Sequence, residues 1–280
     1  MAMRAPGGPA NASAAPSQLG GIIPTIAAYA AREPARALLR TAFGRRRGRV
    51  IPVRSAAELD SVFRRYLIDA ALVDLGGPPG ETWKAAALAR EFPSAAFIGI
   101  LSFRGADGVS LARAVSLDFA DVLADGVDDS AARDLIWPLT FSARFTVALA
   151  DPPPQLGLTT ERHLAVWRAI VGQAGRPVRT APLARSLGIS REHLSRAFAS
   201  GGAPNLKRVI DFVRLVAAAE LAKNPGYDVR DVAAVLEFAS SSHLSTSAQR
   251  VVGTRPASLA RLRTVDLIDR FAQGRGRSRG

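Results

Sequence analysis

The chain contains no cysteine, which excludes disulfides and thiolate metal sites. Its three histidines, His163, His193 and His243, lie far apart, each in a stretch of helical periodicity, so no zinc site is expected. No apolar run approaches the roughly 20 residues that a membrane-spanning helix needs, so no membrane partner is expected. Residues 1–20 are rich in Ala, Gly, Pro and Ser and lack the apolar centre of a secretory signal. A disordered tail is expected there, and the cytoplasm as the compartment. The glycine-rich stretches match neither the phosphate-binding loop nor the dinucleotide fingerprint. Neither a Ser-His-Asp set nor paired catalytic carboxylates are visible. The expectation is a protein that is not an enzyme and carries no cofactor and no metal.

What is present is enough apolar material for two cored domains: 48% of 280 residues. The net charge of +13 is unevenly spread. Residues 1–158 hold 17 Lys and Arg against 15 Asp and Glu, whereas residues 159–280 hold 20 against 9. A basic domain suits a polyanion, because each cation that neutralises a phosphate releases condensed counterions.

The first half alternates short apolar runs with helical patterns. Strand candidates are 22–29, 50–53, 70–75, 95–103 and 120–124. Between and after them, apolar spacing predicts helices over 33–43, 56–66, 81–92, 108–117 and 130–139. Ser55 with Glu58 reads as a capping box for the second of these helices. Arg45-Arg46-Arg47-Gly48-Arg49 is a basic turn. Strands alternating with helices predict a parallel sheet covered on both faces.

Five such repeats resemble the receiver domain of two-component response regulators, a flavodoxin-like fold. Asp74 stands where receivers accept a phosphoryl group, Pro79-Gly80 in the loop beyond it, and Ser102 at the switch position. Asp118-Phe119-Ala120-Asp121-Val122-Leu123 resembles the approach to the fifth strand. The departures are as informative. Where receivers carry paired acids after strand one, this chain reads Ala30-Ala31-Arg32, with Glu33 the only nearby substitute. Where they carry a lysine after strand five, it has Asp125, followed by Gly126. Mg²⁺ needs carboxylates, and phosphoryl transfer needs the metal and a cation. Asp74 alone supplies neither, so it is a degenerate phosphoacceptor position and is expected to be a structural carboxylate. A receiver-like module of this kind would serve dimerisation, protein contact or ligand sensing.

Ala150-Asp151-Pro152-Pro153-Pro154-Gln155 breaks any helix and favours an extended spacer. The chain then divides into a tail (1–20), a receiver-like domain (21–148), a Pro-rich linker (149–158), an all-helical domain (159–264) and a basic tail (265–280). In that tail Arg275-Gly276-Arg277-Ser278-Arg279 could add non-specific phosphate contacts.

The all-helical domain repeats itself. Thr159 or Thr160 caps a helix through Val171. A short helix over 181–186, a turn at Leu187-Gly188-Ile189 and an N-cap at Ser190 lead into a helix over 191–199. Leu194 and Phe198 face its core. A long amphipathic segment, 205–223, would span roughly 30 Å. Then Asp228 opens 229–238, the turn is Glu237-Phe238-Ala239, and Ser240 or Ser241 caps a helix through Val252. His193-Leu194-Ser195 and His243-Leu244-Ser245 occupy matching places.

Leu183 to Phe198, Arg214 to Leu221, Val229 to Phe238, Ser240 to Ser245 and Gly253 to Leu259 resemble the double helix-turn-helix domain of AraC/XylS-family transcription regulators. The match covers about Thr159 to Arg263. The resemblance implies double-stranded DNA as partner, read by two helices in successive major-groove segments. RNA polymerase, and a second copy through the N-terminal domain, are further candidate partners. Carried over by position, the reading residues are Arg191, Glu192, Ser195 and Arg196 in the first helix. In the second they are Ser241, Ser242, His243 and Thr246, with Arg250 and Arg255 for phosphates. The second unit departs from the family, which has Gly at Glu237, Arg at Thr246 and an aromatic at Ala248. The first helix is therefore expected to carry specificity and the second mainly to anchor. The rival reading is an adaptor that modulates another regulator without reading DNA.

Overall fold

The computed structural model describes residues 23–44, 47–128, 130–199 and 203–274. The tail over 1–20, Arg45-Arg46 of the basic turn and the run Arg275–Arg279 lie outside the described residues. Five strands form one parallel sheet in the order β2-β1-β3-β4-β5: β1 (Thr25–Tyr29), β2 (Arg49–Val53), β3 (Ala70–Asp74), β4 (Ala96–Leu101) and β5 (Asp121–Ala124). The three central strands are buried at every residue. This is why TIAAY, AALVD and AFIGIL read as near-continuous apolar runs rather than alternating ones: helices cover both faces. Buried residues of α2 (Ala56–Arg65), α3 (Pro79–Ala87) and α4 (Gly108–Ser116) pack one face. Those of α1 (Glu33–Ala42) and α5 (Ala132–Ile136) pack the other. The strand order is that of the flavodoxin and receiver architecture, so the N-terminal region is receiver-like.

Local chemistry sets the helix ends. The Ser55 hydroxyl accepts from the Glu58 N–H at 3.1 Å, but Glu58 reaches the Arg54 N–H rather than Ser55, so the expected box closes one residue early. The 130–149 segment is not one helical run. A 3-10 turn carries Pro138, which lacks a donor and cannot sit inside an α-helix. Thr140 then caps α6 (Phe141–Ala148), accepting from Ala143 at 3.3 Å.

The C-terminal core is a single cluster that takes in α6 and, from the sheet domain, Leu67. Phe141, Phe145, Leu149, Leu156 and Leu158 all belong to it. The proline segment is anchored at both ends by buried Leu149 and Leu156: Pro153 keeps extended backbone (φ −55°, ψ 136°), and Pro154–Leu156 then form a 3-10 turn. The remaining helices are α7 (Glu161–Val171), α8 (Thr180–Ser186), α9 (Arg191–Ala199), α10 (Leu206–Leu221), α11 (Val229–Val235), α12 (Ser241–Val252), α13 (Pro256–Leu259) and α14 (Thr264–Gln273). The last corrects the expected tail over 265–280. Leu267 and Phe271, spaced i, i+4, are buried, and the Phe271 ring lies 4.5 Å from that of Phe212.

Among the contacts that join the sheet to the helical domain in the described residues, two carry buried or ion-paired groups. Asp69, fully buried just before β3, accepts from the Thr25 N–H (2.8 Å), the Ser142 N–H (3.0 Å) and the Ser142 hydroxyl. It also pairs with Arg176 beyond α7 at 2.9 Å. The second contact is the turn between α10 and α11. Its Gly226 N–H donates to the Glu91 carbonyl (2.9 Å) and the Tyr227 hydroxyl to the Phe63 carbonyl (3.1 Å). Arg64 of α2 holds both the Gly226 carbonyl and Asp231 of α11.

Removing one partner of a buried charge pair leaves the other uncompensated. Asp69→Ala is expected to lower stability by about 3 kcal/mol in urea denaturation of the full chain. A loss within experimental error would show that the seam does not depend on this carboxylate.

Candidate nucleic-acid interface

The first helix-turn-helix unit is built from α8 and α9. Gly188 takes φ +67°, a left-handed conformation in which a side chain is strained. That turn lets the Ile189 N–H return to the Ala184 carbonyl at 3.1 Å. The Ser190 hydroxyl then accepts from the His193 N–H at 3.1 Å and starts α9, the usual role of an N-cap serine. Leu194 and Phe198 are fully buried. The Phe198 carbonyl meets the His163 ring nitrogen at 3.0 Å. With that face fixed, Arg191, Glu192, Ser195 and Arg196 are all exposed. None of the four has an ion-pair partner among the described residues.

The second unit, α11 and α12, repeats this with changed parts. Glu237 stands where the first unit has glycine, and it takes φ +54°. The Phe238 N–H returns to the Ala233 carbonyl at 2.8 Å. Ala239 adds one residue before Ser240, whose hydroxyl caps α12 from the His243 N–H at 3.0 Å. Arg214 of α10 secures the turn: it donates to the Leu236 carbonyl at 2.8 Å and lies over the Phe238 ring at 4.0 Å. Burial depresses the Arg214 pKa, and Asp211 and Glu237 offset only part of that.

Ser242, His243, Thr246 and Arg250 are exposed on α12 and Ser241 is half-buried. Two of these groups are already engaged. The Thr246 hydroxyl donates to the Ser242 carbonyl at 3.0 Å, and Arg250 pairs with Asp211 at 2.6 Å. Arg255 is exposed beside Ser245, Thr246 and Gln249 in a shallow depression. Ala248, expected as a lost packing group, is itself fully buried, in the core that also holds Leu267 and Phe271 of α14.

At the C-terminal edge of the sheet, Arg32 fills the place where receivers gather acids. Its backbone N–H and its Nε each donate to the Asp74 carboxylate at 2.7 Å. One terminal nitrogen meets Asp74 at 2.6 Å and Asp125 at 2.9 Å, and the other donates to Ser102 at 2.6 Å. A side chain at Gly76 would have its Cβ 2.5 Å from the Arg32 guanidinium carbon. Burial works against the Arg32 charge, but hydrogen bonds and attraction from Asp74, then Asp125, outweigh it and hold its pKa above the ordinary value. Mg²⁺ does not fit here: the guanidinium occupies the space between Asp74 and Asp125. Glu33, the expected substitute acid, is turned away and pairs with Arg36 and Arg40 on the outside of α1. Asp74, expected as a structural carboxylate, is one wall of an ion-pair network and also accepts from the Gly76 N–H of the loop beyond it at 3.2 Å; the partnership with Arg32 and Asp125 was not visible from its place at a strand end.

Residues 183–261 match the family described as "Helix-turn-helix domain". The C-terminal half accordingly carries an AraC-type helix-turn-helix domain, the module of DNA-binding transcription regulators. No curated protein matches the chain. Among solved structures, full-length FixJ from B. japonicum is similar at 13% identity and a TM-score of 0.37, over 67% of this chain and 94% of that one. The receiver-like assignment of the first domain rests on the strand order, not on that likeness.

An L-residue in the left-handed region costs about 1–2 kcal/mol, and glycine's greater chain entropy returns part of this. Glu237→Gly is therefore expected to stabilise the protein by about 0.5–1 kcal/mol in denaturant titration. Destabilisation would mean that the Glu237 side chain contributes more than its strain.

Proposed function

We propose that the chain is a sequence-specific regulator of transcription that works without phosphorylation. In this reading α9 reads bases and α12 chiefly anchors the domain on phosphates. The observation that carries it is the outer face of α9: Arg191, Glu192, Ser195 and Arg196 are exposed and make no ion pair among the described residues, Arg196 touching only the Glu192 carbonyl of its own helix at 3.5 Å, while Leu194 and Phe198 fix the helix from behind. An arginine there with no carboxylate partner can meet a guanine edge through two of its N–H donors. The α12 side chains are less available, with Thr246 bonded to its own helix and Arg250 shared with Asp211. The 16 residues of α10 give about 24 Å between the units, less than the 205–223 pattern implied. Contact with RNA polymerase belongs to the same reading. So does a homodimer through the sheet domain, for which Val109 and Val115 of α4 are exposed.

Independence from phosphorylation follows from Arg32. A guanidinium already satisfies both carboxylates and Ser102, so the attack of Asp74 on a phosphoryl donor has neither metal nor room.

The direct test is a mobility shift with DNA selected from a random pool. Arg196→Ala should weaken the selected site by about 1–3 kcal/mol and relax its sequence. Arg250→Ala should weaken all sequences alike and reduce the salt slope by about one. Absence of binding at every salt concentration would overturn the reading and favour the adaptor alternative, to which Thr246 and the engaged Arg250 lend weight.

Acetyl phosphate with Mg²⁺ should leave the chain unlabelled. Stable labelling that disappears in Asp74→Ala would contradict the proposed independence.

A further inference from the structure

A cleft of about 530 Å³ opens on the seam between the two domains. Phe141, Phe145 and Leu149 of the α6 region line it, facing Val216 of α10. Pro93-Ser94, ahead of β4, and Thr264, at the start of α14, close its ends. The floor is apolar and continuous with the C-terminal core. Its volume lies in the range of small-molecule sites, which pair an apolar lining with few polar groups.

The polar group that stands out is Arg144, exposed at the rim, with its head donating to the Ser94 carbonyl. No carboxylate pairs with it among the described residues. The acid across the cleft, Glu220, is bonded to Lys223 at 2.7 Å. Burial depresses the Arg144 pKa and Glu220 restores only part of it. An anion brought to this head would meet an under-compensated cation above an apolar floor.

We propose that this cleft binds a small organic monocarboxylate, with its apolar body on Phe141, Phe145 and Val216 and its carboxylate on Arg144. A charge-assisted pair with a guanidinium is the strong kind of hydrogen bond; of the other polar groups in the lining, Glu220 and Lys223 are paired with each other and Asn224 is bonded to Ser94, so Arg144 is the cation left without a carboxylate among the described residues. Such a ligand touches Ser94 of the sheet domain, α6 and α10 together. Ser94 is itself tied to the turn that follows α10, because its N–H donates to the Asn224 side-chain oxygen and its hydroxyl accepts from the Asn224 side-chain nitrogen, each at 2.8 Å. Occupancy therefore reinforces the seam, and by linkage stabilises the whole chain in proportion to ligand concentration. The proposal goes beyond DNA reading and does not depend on it.

The test is calorimetric titration of the full chain, without DNA, with phenylbutyrate and with its uncharged amide. The acid is expected to bind one site, and the amide about tenfold more weakly or worse. Arg144→Gln should bring the acid down to the amide's affinity. Ala148→Trp, at an exposed position on the rim, should obstruct the cleft and abolish both without disturbing the core. Equal binding of acid and amide would overturn the proposal, as would acid binding unchanged in either variant. So would the absence of binding by phenylbutyrate and by a panel of shorter and longer alkyl and aryl carboxylates.

Discussion

The buried carboxylate of Asp69 is the constraint on which the two halves of the molecule depend. It enters the interior only because four groups meet it: the Thr25 N–H from β1, the Ser142 N–H and hydroxyl from α6, and Arg176 from the helical domain. A lone ionised carboxylate at that depth would be strongly unfavourable. Sheet, bridging helix and DNA-binding domain therefore satisfy one charge in common. Arg64, Tyr227 and Asn224 repeat the arrangement at the α10–α11 turn. The second helix-turn-helix unit is thus held from both sides, by Arg214 behind its turn and by α2 of the sheet domain beneath α11.

The same solution recurs at the opposite end of β3. Arg32 places a permanent cation among Asp74, Asp125 and Ser102, with Asp74 at the phosphoacceptor position of a receiver, Ser102 at its switch position and Asp125 where a receiver carries lysine. The sheet keeps the strand order of the receiver architecture, with an internal ion-pair network at the C-terminal ends of its strands. A domain so closed retains its outer surfaces and its seam as means of influence, and the Arg144 cleft lies on that seam.

The apolar periodicity marked most elements to within a residue or two, because buried parallel strands and amphipathic helices carry strong local patterns. Ser190, and Ser240 or Ser241, stood out as caps for the same local reason, and the structure uses Ser190 and Ser240. What the sequence could not reveal was tertiary. Arg32 was visible as a missing acid, but its turn onto Asp74 depends on strands far apart in the chain and on Gly76 leaving space. Asp69, one residue before the apolar run of β3, carries no local signal of its four partners. Leu267 and Phe271 were hidden beneath the basic composition of the C-terminus, although their i, i+4 spacing was a usable signal. On the interface itself, the exposed residues of α9 followed from its buried face. The engagement of Arg250 by Asp211 did not, since that pair joins separate helices.

The central claim is that two unequal helix-turn-helix units, fixed by α10 and the seam, engage one face of DNA. Hydroxyl-radical footprinting of the full chain on a selected site tests it most directly. The account predicts two protected patches on the same face about one helical turn apart, the patch under α9 sensitive to base changes and the patch under α12 tolerant of them. A single patch, or base sensitivity confined to the α12 side, would contradict it.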